Sequence, residues 1–318
     1  MELRESGLYC ALGDFYIDPW APVDRAVVTH AHPEHACPDC GRYLTSTAGE
    51  ALLRDRIGPD AAVQTAGYGE PVTLGEVRVS LHPTGHILGS AQVRLESRGE
   101  VWVVSGDYAL VPDPTCAPFE PLRCHTFLTE ATFGLPIFRW PDDTMDDIRF
   151  WWRANQEAGK ASLLYAHPLG MAQRLLAGID HSIGPIHAHE AVEHVNQIYR
   201  QQGIALAPTV PAAEWPRALI LAPPSCHGSA WARSFGHVST ALASGWMRIR
   251  GTRRRLSLDR GFVLSDHADW PGLLRAIGET GAETVWVTHG YRGPLVRWLQ
   301  EHGRQAVGVE GRFEEAQS

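Results

Sequence analysis

Up to about residue 130, apolar positions fall in short runs broken by polar and turn-forming residues. Phe15-Tyr16-Ile17 and Arg25-Ala26-Val27-Val28-Thr29 are β-rich runs that close on Asp18 and His30. Thr47-Ala48-Gly49-Glu50 has the Thr-x-x-Glu spacing of a capping box, and the apolar positions of ALLRDRI follow at helical spacing, which predicts a helix there. After Gly69, the segments VTLGEVRVSLH, SAQVRLES and VWVVSGD alternate apolar and polar positions as half-buried strands do.

The pattern changes at Asp143. Helical periodicity in MDDIRFWWRANQEAG, MAQRLLAGI and HEAVEHVNQIYRQQG alternates with the apolar runs SLLYA and ALILA, which predicts βαβ units and a parallel sheet. The tail returns to strand, turn and helix in GFVLSDHADWPGLLRAIG and TVWVTHGYRGPLVRWLQEHG. Pro136, Pro141 and the Arg-rich stretch before Gly261 place domain boundaries near 135 and 255. A chain of 318 residues suits two domains, or one large domain carrying an insertion.

Composition narrows the class. With 44% hydrophobic and 20% charged residues, the chain is neither disordered nor collagen-like. No stretch approaches 18 consecutive apolar residues, and MELRESGLYC puts charges where a signal peptide needs an apolar core, so no membrane association and a cytoplasmic location are expected. Six Cys in such a chain read as reduced thiols, including the Cys37-Pro38-Asp39-Cys40 pair, which lacks a second Cys-x-x-Cys to complete a zinc site. A net charge of -8 speaks against blanket attraction to nucleic acid, so a polyanion needs a local patch or a metal. Of 28 basic residues only Lys160 is lysine, leaving 28 - 1 = 27 arginines, whose planar forks suit phosphate.

The strongest local chemistry is THAHPEHA, which sets His30, His32, Glu34 and His35 directly after a strand. With 16 His in the chain, three at these offsets arise by chance in about 0.04 chains of this composition. Neutral imidazoles and a carboxylate at a strand end suit zinc or a similar divalent ion. His86 in PTGHILGS, Asp107 in VVSGDYAL and His289 in VWVTHG stand at the ends of further predicted strands. Together these residues are the parts of a two-metal site of the kind that hydrolyses phosphodiesters.

The ordered set resembles the metallo-β-lactamase superfamily, whose loop His-x-His-x-Asp-His is followed by a distant His, an Asp and a final His. TEATFG, SDHADW and THG extend the resemblance to its β-CASP nuclease branch. APPS, ASGWMRIRGTRRR, DRGFVLSDHADWPGLL and VTHGYRGPLVRWL resemble the bacterial ligase-associated DNA exonucleases. The implied fold is mixed α/β (α+β): a discontinuous metallo-β-lactamase αββα sandwich at 1–135 plus 255–318, with a shortened β-CASP parallel α/β insertion at 136–254. The implied activity is metal-dependent exonucleolytic DNA hydrolysis by a metal-bound hydroxide, in repair alongside a DNA ligase. The alternatives are an RNA-processing β-CASP ribonuclease, a catalytically impaired nucleic-acid-binding protein, and a small-molecule hydrolase, which the insertion and His267 disfavour.

Residue by residue, the resemblance implies two divalent ions, zinc or manganese. One is held by His30, His32 and His86, the other by Glu34, His35 and His289, with Asp107 bridging and Asp18 supporting the histidines from behind. Glu130 and His267 match the pair assigned to proton transfer. Glu34 stands where the family has Asp, and its extra methylene is expected to weaken the second site. Gly170, opening a helix in PLGMAQ, is a candidate phosphate contact, although family members often carry a basic residue where Met171 stands. Arg248, Arg250, Arg253, Arg254 and Arg255 form the one dense basic run and are expected to meet the DNA backbone. Trp151, Trp152 and Trp231 are candidates for base stacking, against the expectation that most of the 11 Trp are core.

Overall fold

The short apolar runs of the first part of the chain pair into two sheets. The computed structural model describes residues 1–210 and 217–309. Six strands, β1 (Glu2–Arg4), β2 (Gly7–Cys10), β3 (Phe15–Ile17), β4 (Arg25–Val27), β5 (Arg42–Ser46) and β6 (Val63–Ala66), lie in sequence order in the first sheet. It begins antiparallel and becomes parallel from β3 onward. Helix α1 (Glu50–Ile57) links its last two strands. The second sheet opens with β7 (Pro71–Leu74), β8 (Val77–Pro83), β9 (Ala91–Ser97), β10 (Glu100–Val104) and β11 (Thr126–Glu130).

The chain then forms a separate unit from α2 (Thr144–Glu157), β12 (Ala161–Tyr165), α3 (Met171–Gly178), β13 (Ile186–Ala188), α4 (Glu190–Gln201), β14 (Leu219–Ala222), α5 (Ala230–Ser234), β15 (Val238–Ala243), α6 (Thr252–Arg255) and β16 (Arg260–Phe262). It returns with α7 (Trp270–Thr280), β17 (Thr284–Thr288), α8 (Arg292–Glu301) and β18 (Gln305–Gly308), and the two late strands join the second sheet in the order β18-β17-β11-β10-β9-β8-β7. Among the described residues the two compact units are 1–137 with 267–309, and 138–210 with 217–266.

In the first unit the alternation decides the layers. Leu8, Phe15, Ile17, Val27 and Leu44 of one sheet meet Val79, Leu81, Val93, Leu95 and Leu128 of the other in a shared core. The opposite face of the first sheet, with Ala26, Val28 and Tyr43, is covered by Leu53 of α1. The opposite face of the second, with Val103, Phe127, Val285 and Val287, is covered by Leu273 and Ile277 of α7 and Leu295 and Leu299 of α8. Each sheet therefore buries both faces, and the unit has four layers, helix on sheet on sheet on helix. No helix among the described residues is long and apolar enough to cross a membrane.

In the second unit, β13-β14-β12-β15-β16 form a parallel sheet. The runs SLLY and LILA are buried throughout, as central parallel strands with helices on both faces must be. Two local expectations change. VTLGEVRVSLH is two antiparallel strands rather than one, because the chain turns at Gly75-Glu76 and pairs Leu74 with Val77. The expected capping box at Thr47 is also absent: Ser46 accepts the Gly49 N–H and caps a 3-10 turn, Thr47–Gly49, that leads into α1, whose own N-cap, Gly49, has no side-chain bond.

Trp152 is fully buried between α2 and the sheet, and its indole N–H donates to the Arg217 carbonyl. Trp152→Ala removes both the packing and the donor, and is expected to cost about 3 to 5 kcal/mol. Urea unfolding measures that loss, and a change under 1 kcal/mol would show that the unit repacks around the gap.

Candidate metal centre

At the end of β3 the chain enters a left-handed residue, Asp18 (φ 44°), which aims its carboxylate across at the loop after β4. Oδ1 accepts the Thr29 N–H at 2.8 Å, and Oδ2 accepts the Thr29 hydroxyl at 2.6 Å and faces His35 Nδ1 at 2.7 Å. The single Thr29 proton is thus committed to Asp18. Its oxygen, 3.0 Å from His30 Nδ1, can only accept from that ring, so the His30 proton sits on Nδ1 and Nε2 carries the lone pair. The N–H groups of His35 and Ala36 both donate to the His32 carbonyl at 3.0 Å, curling the loop into one turn.

Three other strand ends converge on this turn. The Ala91 N–H donates to the Thr29 carbonyl and the Ala109 N–H to the Thr84 carbonyl, tying the first loop, the His86 loop and the Asp107 loop together. His30 Nε2 and His86 Nε2 each lie 3.1 Å from His32 Nδ1, and Asp107 Oδ2 lies 3.4 Å from His30 Nε2 and 3.9 Å from His86 Nε2. Ligands on a tetrahedral zinc at about 2.0 to 2.1 Å stand about 3.3 Å from one another. His30, His32, His86 and Asp107, all buried, therefore form a cluster with the donor types and spacing to hold a divalent ion.

Charge balance agrees with that use. Burial and the neighbouring His35 push His30 well below the ordinary imidazole range, so it is a neutral donor. Burial opposes a charge on His35, but the carboxylates of Asp107 and Asp18 outweigh it and hold that ring well above the ordinary value. Burial likewise raises the Asp107 carboxyl, and His35 and His267 reverse the effect, leaving it well below the usual carboxylate range. A buried carboxylate among imidazoles needs positive charge, which His35 supplies here and a cation would supply on binding.

His35 Nε2 is 3.3 Å from Asp107 Oδ2, and the His289 ring lies 5.5 Å from the His35 ring. His289 (φ 56°) and Gly290 (φ 52°) form a left-handed pair after β17. A Cβ at Gly290 would come within 2.3 Å of the Ala131 carbonyl oxygen, so the turn that delivers His289 admits only glycine there. Burial and His35 lower the His289 ring, again favouring the neutral form.

Glu34 departs from the rest. Its side chain is exposed and joins no convergent ligand group among the described residues; it lines a cavity with Asp18, His35 and His289. The described residues thus assemble one four-ligand cluster, bordered by His35 and His289 and without Glu34.

Beside the cluster, His267 Nδ1 lies 2.9 and 3.1 Å from the two oxygens of Glu130, which ends β11 and is almost fully buried. The His267 ring stands 4.7 Å from that of His86. Three residues unmarked by the motifs shape this region. Thr29 sets a tautomer, as above. Gly106 is held against Thr29, whose side chain a Cβ would meet at 2.8 Å. The Tyr108 N–H donates to Glu130 Oε1 while its carbonyl accepts from Ala268, clamping the acid and the histidine turn together. The one sequence cue was position: each adjoins a motif histidine or acid.

The second unit places its candidates differently. Gly170 is buried, and its N–H donates to Gln173 Oε1, so that donor is already engaged rather than presented to a phosphate. Arg248, Arg250, Arg253, Arg254 and Arg255 are all exposed on the turn and helix before β16, with Arg253 also donating to the Asp259 carbonyl. Trp151 and Trp152 are core, and Trp231 packs edge-on to His189 and Phe235, so the first two are not available to stack on bases.

Fold and site define a mixed α/β protein with a buried His/Asp cluster able to hold a metal ion. No family model matches the chain. It is 29% identical, over 97% of its length, to a protein named "Probable DNA ligase" from Opitutus terrae, and 28% identical, over 38% of its length, to Ribonuclease TTHA0252 from Thermus thermophilus. The chain spans about a third of each of these relatives, 31% and 34%. A solved protein of unknown function from Enterococcus faecalis V583 shares the fold at a TM-score of 0.56 and 13% identity, over 92% of this chain and 80% of that one.

Thr29→Val removes the hydroxyl that fixes both Asp18 and His30, and is expected to weaken metal binding about 10- to 100-fold. Glu34→Gln should leave affinity at the four-ligand cluster within about twofold, since the side chain lies outside it. Competition against a chelator reads both, and a large loss in Glu34→Gln would return that residue to the ligand set.

Proposed function

We propose that this chain is a metal-dependent DNA nuclease, acting as an exonuclease in repair alongside a ligase. In this reading the first unit is a metallo-β-lactamase sandwich and the second a shortened β-CASP domain. The observation that carries it is the buried His30, His32, His86 and Asp107 cluster with the Glu130–His267 pair next to it. A zinc or manganese ion held by those four residues would supply Lewis acidity toward a phosphoryl oxygen and make bound water a stronger acid. His35 and His289 would border a second ion, with Asp107 shared, and Asp18 and Thr29 would hold the imidazoles in their ligand tautomers.

The protein's own groups handle the leaving oxygen. Glu130 engages His267 at Nδ1, so Nε2 is the atom that can carry a proton to an alkoxide, and the adjacent carboxylate stabilises the charged ring before transfer. The exposed arginines from Arg248 to Arg255 would contact phosphates, giving affinity without base selectivity. The near full-length likeness to a ligase-named protein supports DNA as substrate. It reaches only 31% of that protein, so ligation itself is not assigned to this chain. The ribonuclease relative supports RNA as the second reading.

End-labelled DNA and RNA of one sequence, incubated with the protein and manganese, distinguish the two. Progressive loss from a DNA end, abolished by chelation, is expected; cleavage of RNA alone would reverse the substrate assignment. Asp107→Ala should abolish cleavage in a protein that still folds. His267→Ala should keep its metal and lose rate by about 10² to 10⁴. Loss of metal in His267→Ala would make that residue a ligand instead.

Replacing Arg253, Arg254 and Arg255 with Gln should flatten the salt dependence of DNA binding by about 0.7 to 0.9 in slope per phosphate contact removed. An unchanged slope would leave the run as a solvated surface.

A further inference from the structure

Within the second unit, a cavity of about 700 Å³ opens beneath α2 at the starting ends of β12 and β15 and along β16. The strand-to-helix turn at Gly170 lies at the other end of β12, and β16 runs from the cavity toward Ser265. The cavity is thus separate from the phosphate-binding candidate at that turn. Its volume lies in the range of small-molecule sites.

The walls are chemically uneven. Trp151, Val238 and Phe262 give an apolar floor, with the Trp151 and Phe262 rings 5.5 Å apart, and Ser239 is engaged by the Trp151 indole N–H. At the rim, Phe150 is 76% exposed, the most exposed large apolar side chain among the described residues. The ring offers an uncovered flat apolar face beside the cavity, which a planar partner laid on it would bury.

The charges around it differ in what they already do. Asp259 is turned back on its own sheet, accepting from the Thr240 N–H and hydroxyl, and Asp147 lies in the first turn of α2, where the helix dipole favours an acid. Lys160, the single lysine of the chain, and Arg260 line the same cavity, and neither forms an ion pair with a described residue. Lys160 and Arg260 are the lining groups with positive charge to offer an anionic ligand. β16 is the last strand of its sheet, so its outer edge also presents backbone donors and acceptors able to meet the rim of a base.

We propose that this cavity binds a nucleotide unit, the base lying on Phe150 and the phosphate taken by Lys160 and Arg260. The unit comes either from a nucleic-acid strand or from a released mononucleotide, since both present the same flat ring and anion. Base stacking on an exposed aromatic is sequence-tolerant, so no single base is preferred.

The test uses the full chain in EDTA, which separates binding here from any metal-dependent cleavage. Calorimetric titrations with dAMP, deoxyadenosine and a six-residue oligodeoxyadenylate are compared for the wild type, Phe150→Ala, Lys160→Gln and Arg260→Gln. Saturable binding of dAMP or of the oligonucleotide, weakened about tenfold by Phe150→Ala and by at least one cation variant, is the expected result. Binding of dAMP marks the released nucleotide as the source, and binding of the oligonucleotide alone marks the strand. All three side chains are at the surface or rim, and thermal unfolding confirms that the variants remain folded. No saturable binding, equal binding of deoxyadenosine, or affinity unchanged in Phe150→Ala would overturn the proposal, whatever the outcome of the cleavage assays.

Discussion

The Asp18 carboxylate is the contact on which the rest of the site depends. It accepts the Thr29 N–H and hydroxyl and faces His35 Nδ1, and through Thr29 it determines which nitrogen of His30 bears the proton. Without it, the loop after β4 would carry buried donors with no acceptor, each a desolvation cost left uncompensated. The left-handed backbone at Asp18 is the local strain that this network maintains.

The sheet architecture explains how so many polar groups can share one buried place. Parallel strands end on the same side of a sheet, and here β4, β10, β11 and β17 each finish in a loop that contributes a histidine or an acid. Packing the apolar faces of the two sheets together brings those ends side by side. The polar residues are then desolvated by the same burial that stabilises the fold. Their mutual charges set protonation: His35 is held charged between two carboxylates while His30 and His289 are held neutral.

The second unit follows a different rule. Its parallel sheet is covered on both faces, so β12 and β14 are buried throughout. Its polar features lie at strand ends and on the surface: the exposed arginines, and a cavity lined by an exposed phenylalanine and by two cations that form no ion pair with a described residue.

Much of this was legible in the sequence because it depends on neighbours along the chain. The alternation after Gly69, the buried runs SLLY and LILA, and the helical spacing of α4, which buries Val192, Val195, Asn196 and Tyr199, are local consequences of side-chain period. The strand-end positions of His30, His86, Asp107 and His289 followed from the same apolar runs, whereas Glu130 and His267 were marked only by resemblance to a known family. The shift of a cap from Thr47 to Ser46 and the engagement of the Gly170 N–H by Gln173 depend on which side-chain acceptor reaches the N–H, and the turn at Gly75 on its left-handed backbone (φ 56°), none of which periodicity ranks. Only tertiary structure could separate Glu34 from the other motif residues. A residue one methylene longer on a tight turn can point inward or outward by sequence alone, and in the fold its side chain is exposed, outside the four-ligand cluster. The tertiary fold likewise settled that Trp151 and Trp152 are core and that Phe150, their neighbour on the same helix, is exposed, because the face of a helix that meets a sheet is chosen by the sheet.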